Sequence, residues 1–495
     1  MISFAQLLTQ YRVQRDLSIQ ELADYTGLNS STIYKITQGK RMPADRKTVA
    51  LLARCLCLSK KEASDFFDSY YYSTLGEEKF YGFQQILRLL DTLPYAENPK
   101  YINRSHLEPL PAAPGCDTCL HGGREIWSCI QTVSAEAAER GESSIRFFFT
   151  DWYDIYPWAV AKSLEKNPQI RHDIIFVIDR NNIPDLNSHL HNLDLIAALM
   201  PLLYHYPNCR VHGLYADLPT IRSLSPLYLN RVLTGHAAVM FNQDASEGFL
   251  IQDERKLPYF RKVFSELVSG SSPLADYYAP ETLFELLHSL LNNSHPQPIS
   301  CYFESGIDTT MVLTPGEHFV EKHLLLPEPE KSDLIEKLHA FLVPQKRLYT
   351  DPQLRIKLRL FTKQGVLDFI HTGYTNEMPE KFMSPLSVQE RIEILQIWQS
   401  LYERDLYTMV DLPSIQGKSP AWYILSKQSL EIQYTMEQFQ YLSFEIRETS
   451  TVMLFHRFFE FISTEFRMER QEVLDFYRDC FSWLREQEEE ESREN

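Results

Sequence analysis

The stretch "LADYTGLNSSTIYKITQGKRMP", residues 22–43, decides how this chain begins. Just ahead of it, Ser18 and Glu21 form an S-x-x-E pattern, in which the serine caps a helix and the glutamate closes the capping box. Gly27 then breaks that helix. Asn29 is the expected cap of a second helix running through Thr37, with Ile33 and Ile36 on its inner face and Ser30, Ser31, Tyr34 and Lys35 facing outward. Two short helices thus meet across a glycine turn. Ala23 lets them pack closely, and Gly27 is free to take the left-handed conformation of the turn. Gly39 ends the second helix, and Lys40 and Arg41 follow it.

Working outward, Phe4, Leu7, Leu8 and Tyr11 recur at helical spacing after Ser3. "DRKTVALLARCL" predicts a helix capped by Asp45 that buries Val49, Leu52 and Ala53, and Ser59 with Glu62 opens another capping box. These segments predict a compact all-α head over residues 1–63. Its charge sets it apart. Residues 1–62 hold ten Lys or Arg against five Asp or Glu, leaving 39 against 61 for the remainder of a chain whose formal charge is -17. A small cationic module on an acidic body can approach a polyanion by one face while the body resists non-specific association.

Leu22, Ala23, Gly27, Ile33 and Gly39 stand at the spacing of the Cro/C1-type (XRE) helix-turn-helix family, which residues 3–63 resemble. The sequence departs from that family at Ile19, where glutamine is frequent, and at Gln38, where glutamate is usual. The resemblance implies that the second helix enters the major groove of double-stranded DNA. Ser30, Ser31, Thr32, Tyr34 and Lys35 would then meet base edges, with Asn29 and Gln38 also counted at the DNA-binding face. Lys40, Arg41, Arg46 and Lys47 would neutralise phosphates, which contributes affinity but no sequence information. A single head buries little, so a homodimer on half-sites about one helical turn apart is expected. Two plainer readings are a helical bundle whose glycine turn has no partner, and a helix-turn-helix used only for protein contact.

Residues 64–93 are helical and aromatic, and Asn98–Gly115 carries four prolines with little periodicity. Together 64–115 read as a connector and linker. Between 116 and 295, "SIRFFFT", "HDIIFVID" and "CRVHGLYA" read as strands alternating with helices, followed by the hairpin-like pair "HAAVMF" and "GFLIQD". This predicts an α/β domain with a largely parallel sheet. Residues 296–495 predict an α+β module with paired strands in "WYILSKQSLEIQYT" and a helix capped by Ser387, ending in the acidic run "EQEEEESREN", read as a solvated tail.

Chemical signals are sparse. Cys116, Cys119, His121 and Cys129 could be counted as four zinc ligands, but only one C-x-x-C is present, so they are read as structural or incidental thiols and no metal is expected. Asp151, Asp179 and Asp217 follow three strand ends, where open α/β sheets bind ligands, although strand-terminating aspartates are the plainer reading. The alternation weakly resembles phospholipase D-like domains, yet none of the fifteen histidines is followed two residues later by lysine, so the H-x-K pattern of that family is missing. No P-loop, G-x-S-x-G or H-E-x-x-H occurs. No helix pair recurs at a period of about 34 residues.

The longest apolar run, "LIAALMPLL" at 195–203, falls short of the ~20 residues that cross a bilayer. With a helix starting at Ser3 and no cleavable leader expected, the protein is placed in the cytoplasm. The expected function is a sequence-specific transcriptional regulator that is not an enzyme, needs no cofactor, and has a body that dimerises and senses an unidentified small-molecule or peptide effector. Two alternatives are a toxin-neutralising scaffold that autoregulates its promoter, and an enzyme with a DNA-binding appendage.

Overall fold

The computed structural model describes residues 2–92, 117–151, 155–180, 186–224, 230–278, 300–306, 322–329, 331–332, 335–336, 358–374, 380–412, 421–435 and 441–494. The chain forms two compact units, Met1–Ile86 and Leu87–Asn495. The proline-rich stretch 98–115 and Cys116 lie outside the described residues.

The first unit is helical: α1 (Phe4–Gln14), α2 (Ile19–Thr26), α3 (Ser30–Thr37), α4 (Arg46–Cys55), α5 (Lys60–Leu75) and α6 (Glu77–Thr92), the last crossing the boundary between the units. Ser3, Ser18 and Ser59 each close a capping box, and Asp45 accepts from the Thr48 amide. Asn29 occupies the N-cap position of α3 but makes no side-chain cap bond. Phe4, Leu8, Leu22, Ile33, Leu52 and Phe66 are fully buried together in one core.

In the second unit, β1 (Thr118–His121), α7 (Gly122–Glu139), β2 (Ser144–Phe149), α8 (Ile155–Lys166), β3 (Arg171–Asp179), α9 (Leu186–His205) and β4 (Cys209–Ala216) come first. They are followed by α10 (Leu218–Leu224), β5 (Asn230–Leu233), β6 (Ala238–Phe241), β7 (Glu247–Ile251), α11 (Leu257–Ser269) and β8 (Ser272–Pro273). The sheet runs β1-β7-β6-β5-β2-β3-β4-β8. It is mixed, which corrects the expectation of a largely parallel sheet, since among the described residues only β2–β3 and β3–β4 pair in parallel. The reason lies in connection length. Helices α8 and α9 span the crossovers between β2, β3 and β4, whereas the short turns joining β5, β6 and β7 can only reverse the chain. Phe147 and Phe149 pack on Tyr156 of α8, and Phe148, between them, joins Leu218 of α10 and Phe264 of α11 on the opposite face.

The remaining elements are β9 (Ala275–Tyr278), β10 (Cys301–Gly306), β11 (Leu358–Thr362), α12 (Lys363–Thr372), α13 (Val388–Glu403), β12 (Thr408–Val410), β13 (Ala421–Leu425), β14 (Leu430–Thr435), β15 (Tyr441–Ile446), α14 (Thr449–Glu465) and α15 (Arg470–Glu494). They build an α+β module on a second sheet, ordered β12-β11-β10-β13-β14-β15-β9. Here too, among the described residues, only two pairs are parallel, β10–β11 and β11–β12. Reading that order from β9 gives the first sheet's order from β1, strand for strand and with the same sense at every pair. The second unit therefore contains one seven-stranded topology twice. Ser272–Tyr278 ties the two sheets together: the Leu274 amide donates to Val211 of β4, and its carbonyl accepts from Glu445 of β15. The acidic run expected as a tail is the end of α15, helical to Glu494.

Candidate nucleic-acid interface

The two short helices of the opening stretch are α2 and α3. Gly27 ends α2 at φ 70°, ψ 9°, the left-handed region that a side chain resists. Leu22, Ala23, Ile33 and Ile36 fill the space between the helices. The end of α3 is equally defined. The Gly39 amide donates to the Ile36 carbonyl (3.0 Å) and the Lys40 amide to the Lys35 carbonyl (2.9 Å), a Schellman closure with Gly39 at φ 68°. That closure fixes where Lys40 and Arg41 leave the helix.

Ser31, Tyr34, Lys35 and Gln38 are all exposed. Their spacing of three, four and seven residues puts them on one stripe of α3, and Tyr34 keeps half of its surface open (51%). Asn29, Lys40, Arg41 and Lys47 are exposed as well, whereas Thr32 is half-buried at the side of the stripe. Ser30 is half-buried, and its hydroxyl donates to Gln20 Oε1 at 3.0 Å. Arg46, on the first turn of α4, is half-buried with its guanidinium over the Phe67 ring at 5.3 Å. A stacked guanidinium keeps its charge while losing freedom of position.

Two residues at this face carry no signal that the sequence pattern singled out. Gln20 is held by Ser30 on one side and donates to Asp24 at 2.7 Å on the other. Tyr25, at the end of α2, is 57% exposed. Their positions, one and six residues beyond Ile19, show their significance only once α2 is set against α3.

Elsewhere the candidate groups are occupied or dispersed. Cys119 is exposed on β1 while Cys129 is buried in α7, where burial pushes its thiol up to about 12. Among the described residues no group of three or more His, Cys, Asp or Glu is placed to hold a metal ion. Asp179 accepts the Leu218 amide at 3.1 Å, Asp217 caps α10 through Thr220, and Asp151 pairs with Arg222. In the α+β module, His323 bridges Ser384 (Nδ1, 2.9 Å) and Glu390 (Nε2, 3.0 Å). Glu390 also closes the capping box of α13 with Ser387.

Residues 3–66 match a family described as a helix-turn-helix domain, in agreement with the likeness to Cro/C1-type heads read from residues 22–43. No curated protein matches the chain. Among solved structures, the chain is similar to phosphatidylserine synthase from Haemophilus influenzae Rd KW20 at 8% identity, covering 80% of this chain and 98% of that one with a TM-score of 0.24. It is also similar to polyphosphate kinase from Porphyromonas gingivalis at 10% identity, covering 78% of this chain and 59% of that one with a TM-score of 0.21. Both of these proteins are enzymes, so the expectation that the chain is not one is set aside. At such TM-scores the likeness carries neither fold nor activity across. Among the described residues no helix is long and apolar enough to cross a membrane.

Proposed function

We propose that this protein is a sequence-specific DNA-binding regulator of transcription, with a Cro/C1-type head reading an operator. The observation that carries the reading is the single exposed stripe of Ser31, Tyr34, Lys35 and Gln38 on α3, followed at once by Lys40 and Arg41. In this arrangement α3 lies in the major groove, with Lys35 reaching guanine acceptors and Tyr34 packing on a thymine methyl. Asn29, Ser30 and Thr32 lie at the groove entrance, and Arg46 and Lys47 flank the backbone. The protein acts in the cytoplasm as a homodimer. Its body, coupled through residues 64–115, responds to a small-molecule or peptide effector by favouring one orientation of the paired heads.

Promoter-shift titrations at several salt concentrations test this assignment. Lys35→Ala relaxes sequence choice by about 1–3 kcal/mol at one base pair. Lys40→Ala weakens all duplexes alike and lowers the salt slope by about one. If the double variant binds promoter DNA as the wild type does, α3 is not the reading helix.

A further inference from the structure

The hydroxyl of Ser30, the first residue of α3, donates to Gln20 Oε1 of α2 at 3.0 Å, and Gln20 Nε2 donates to Asp24 Oδ1 at 2.7 Å. What Ser30 offers a DNA base depends on which way this relay runs. A serine hydroxyl holds one hydrogen and two lone pairs, so alone it can face a base as donor or as acceptor. Its contact with Gln20 is satisfied either way round, because the amide carries an oxygen and an NH2 of nearly the same shape. Asp24 has no such freedom. Its carboxylate offers acceptors only, so the Gln20 NH2 turns towards it and the Gln20 oxygen towards Ser30. Turning the amide over would set that oxygen against the carboxylate at the same 2.7 Å and exchange a charge-assisted bond for a repulsion.

The consequence reaches the tip of α3. With its hydrogen committed to Gln20, Ser30 has only lone pairs left. In the major groove adenine N6 and cytosine N4 are donors, whereas guanine N7 and O6 and thymine O4 are acceptors. Gln20 and Asp24 are exposed in the head alone, where water competes for such bonds. A duplex laid over them removes that water and strengthens the relay.

Resting on the DNA-binding reading above, we propose that Asp24 and Gln20 fix one base of the operator by making Ser30 an acceptor, so that the base beneath Ser30 is adenine or cytosine. Both are positioning residues, since they act on DNA through Ser30. A serine without such partners accepts donor and acceptor bases alike.

The test is selection of binding sites from a pool of randomised duplexes by the full-length protein and its variants, with recovered fragments titrated in mobility shifts. The position whose preference flattens in Ser30→Ala is the one beneath Ser30. There the wild type should favour adenine and cytosine over guanine and thymine by about five-fold, the worth of one neutral hydrogen bond. Asp24→Asn should bring that ratio close to one and leave other positions as they were, because asparagine can donate to the Gln20 oxygen and let the amide turn over. Gln20→Ala should do the same by freeing the hydroxyl. Ser30→Thr keeps the hydroxyl and should keep the preference. A wild-type choice of guanine or thymine at that position overturns the proposal and leaves the DNA-binding reading standing, as does an Asp24→Asn profile identical to the wild type, or a Ser30→Ala profile flattened nowhere. A wild-type protein that enriches no sequence from the pool overturns both.

Discussion

Gly27 and Glu390 show how single residues act through different physics. An added Cβ at Gly27 would meet nothing within 4 Å, so the whole cost of Gly27→Ala lies in the positive φ of the backbone. The expected loss is about 1–2 kcal/mol of head stability, read from the urea midpoint. The position was legible in the sequence because a turn between two short helices leaves few alternatives to glycine. Glu390 is different. Burial pushes its carboxyl up, but hydrogen bonds from His323, Lys322 and Ser387 outweigh burial and hold it at about 2, below its ordinary 4.5. A depressed carboxylate stabilises the fold above its unfolded value and loses that contribution as the pH falls. The stability difference between wild type and Glu390→Gln should therefore be full above about pH 4.5 and shrink towards pH 2. A constant difference across that window would show that the pair contributes nothing through charge.

Helix starts were the most readable elements, because capping is chemistry between residues three apart. Ser18, Asp45, Ser59 and Ser387 all accept from backbone amides as their sequence contexts predict. Asn29 does not, although its residue type and position are equally favourable. Ser18→Ala should thus cost about 1 kcal/mol, whereas Asn29→Ala should change stability by no more than a few tenths. Chemical denaturation of both variants separates them, and equal losses would place an Asn29 cap bond in solution. Strands β1, β5, β12 and β15, like the short β8 and β9, escaped the pattern. The first three span only three or four residues, too few for alternation to show, and β1 falls within the cysteine-rich stretch that drew attention to metal chemistry. The exposed stripe of α3 was legible from helical spacing. The support of Gln20 by Ser30 was not, because it depends on a contact between two helices.

At the scale of the molecule, the repeated seven-stranded topology left no periodic trace, since strand order is fixed by pairing across distant segments and not by a recurring motif. Hydrophobic patterning marks a strand but does not say which neighbour it takes, and so a mixed sheet was read as parallel. The join between the two copies can be tested directly. Gly213 of β4 lies under the strap formed by Ser272–Tyr278: a Cβ there would stand 2.8 Å from Leu274 Cδ2 and 3.0 Å from Ile178 Cγ1. Leu274 is 1% exposed and its backbone bonds to both sheets, so it has no open space into which to withdraw. Gly213→Ala should therefore destabilise the second unit by about 1–3 kcal/mol through overpacking. Leu274→Ala should cost about 2–5 kcal/mol through the cavity it leaves. Combined, each change relieves the other, because the new methyl group occupies part of the vacated volume. The double variant should accordingly lose less than the sum of the two, with a coupling of at least about 1 kcal/mol in denaturant titrations. Strict additivity would mean that Leu274 does not press on β4.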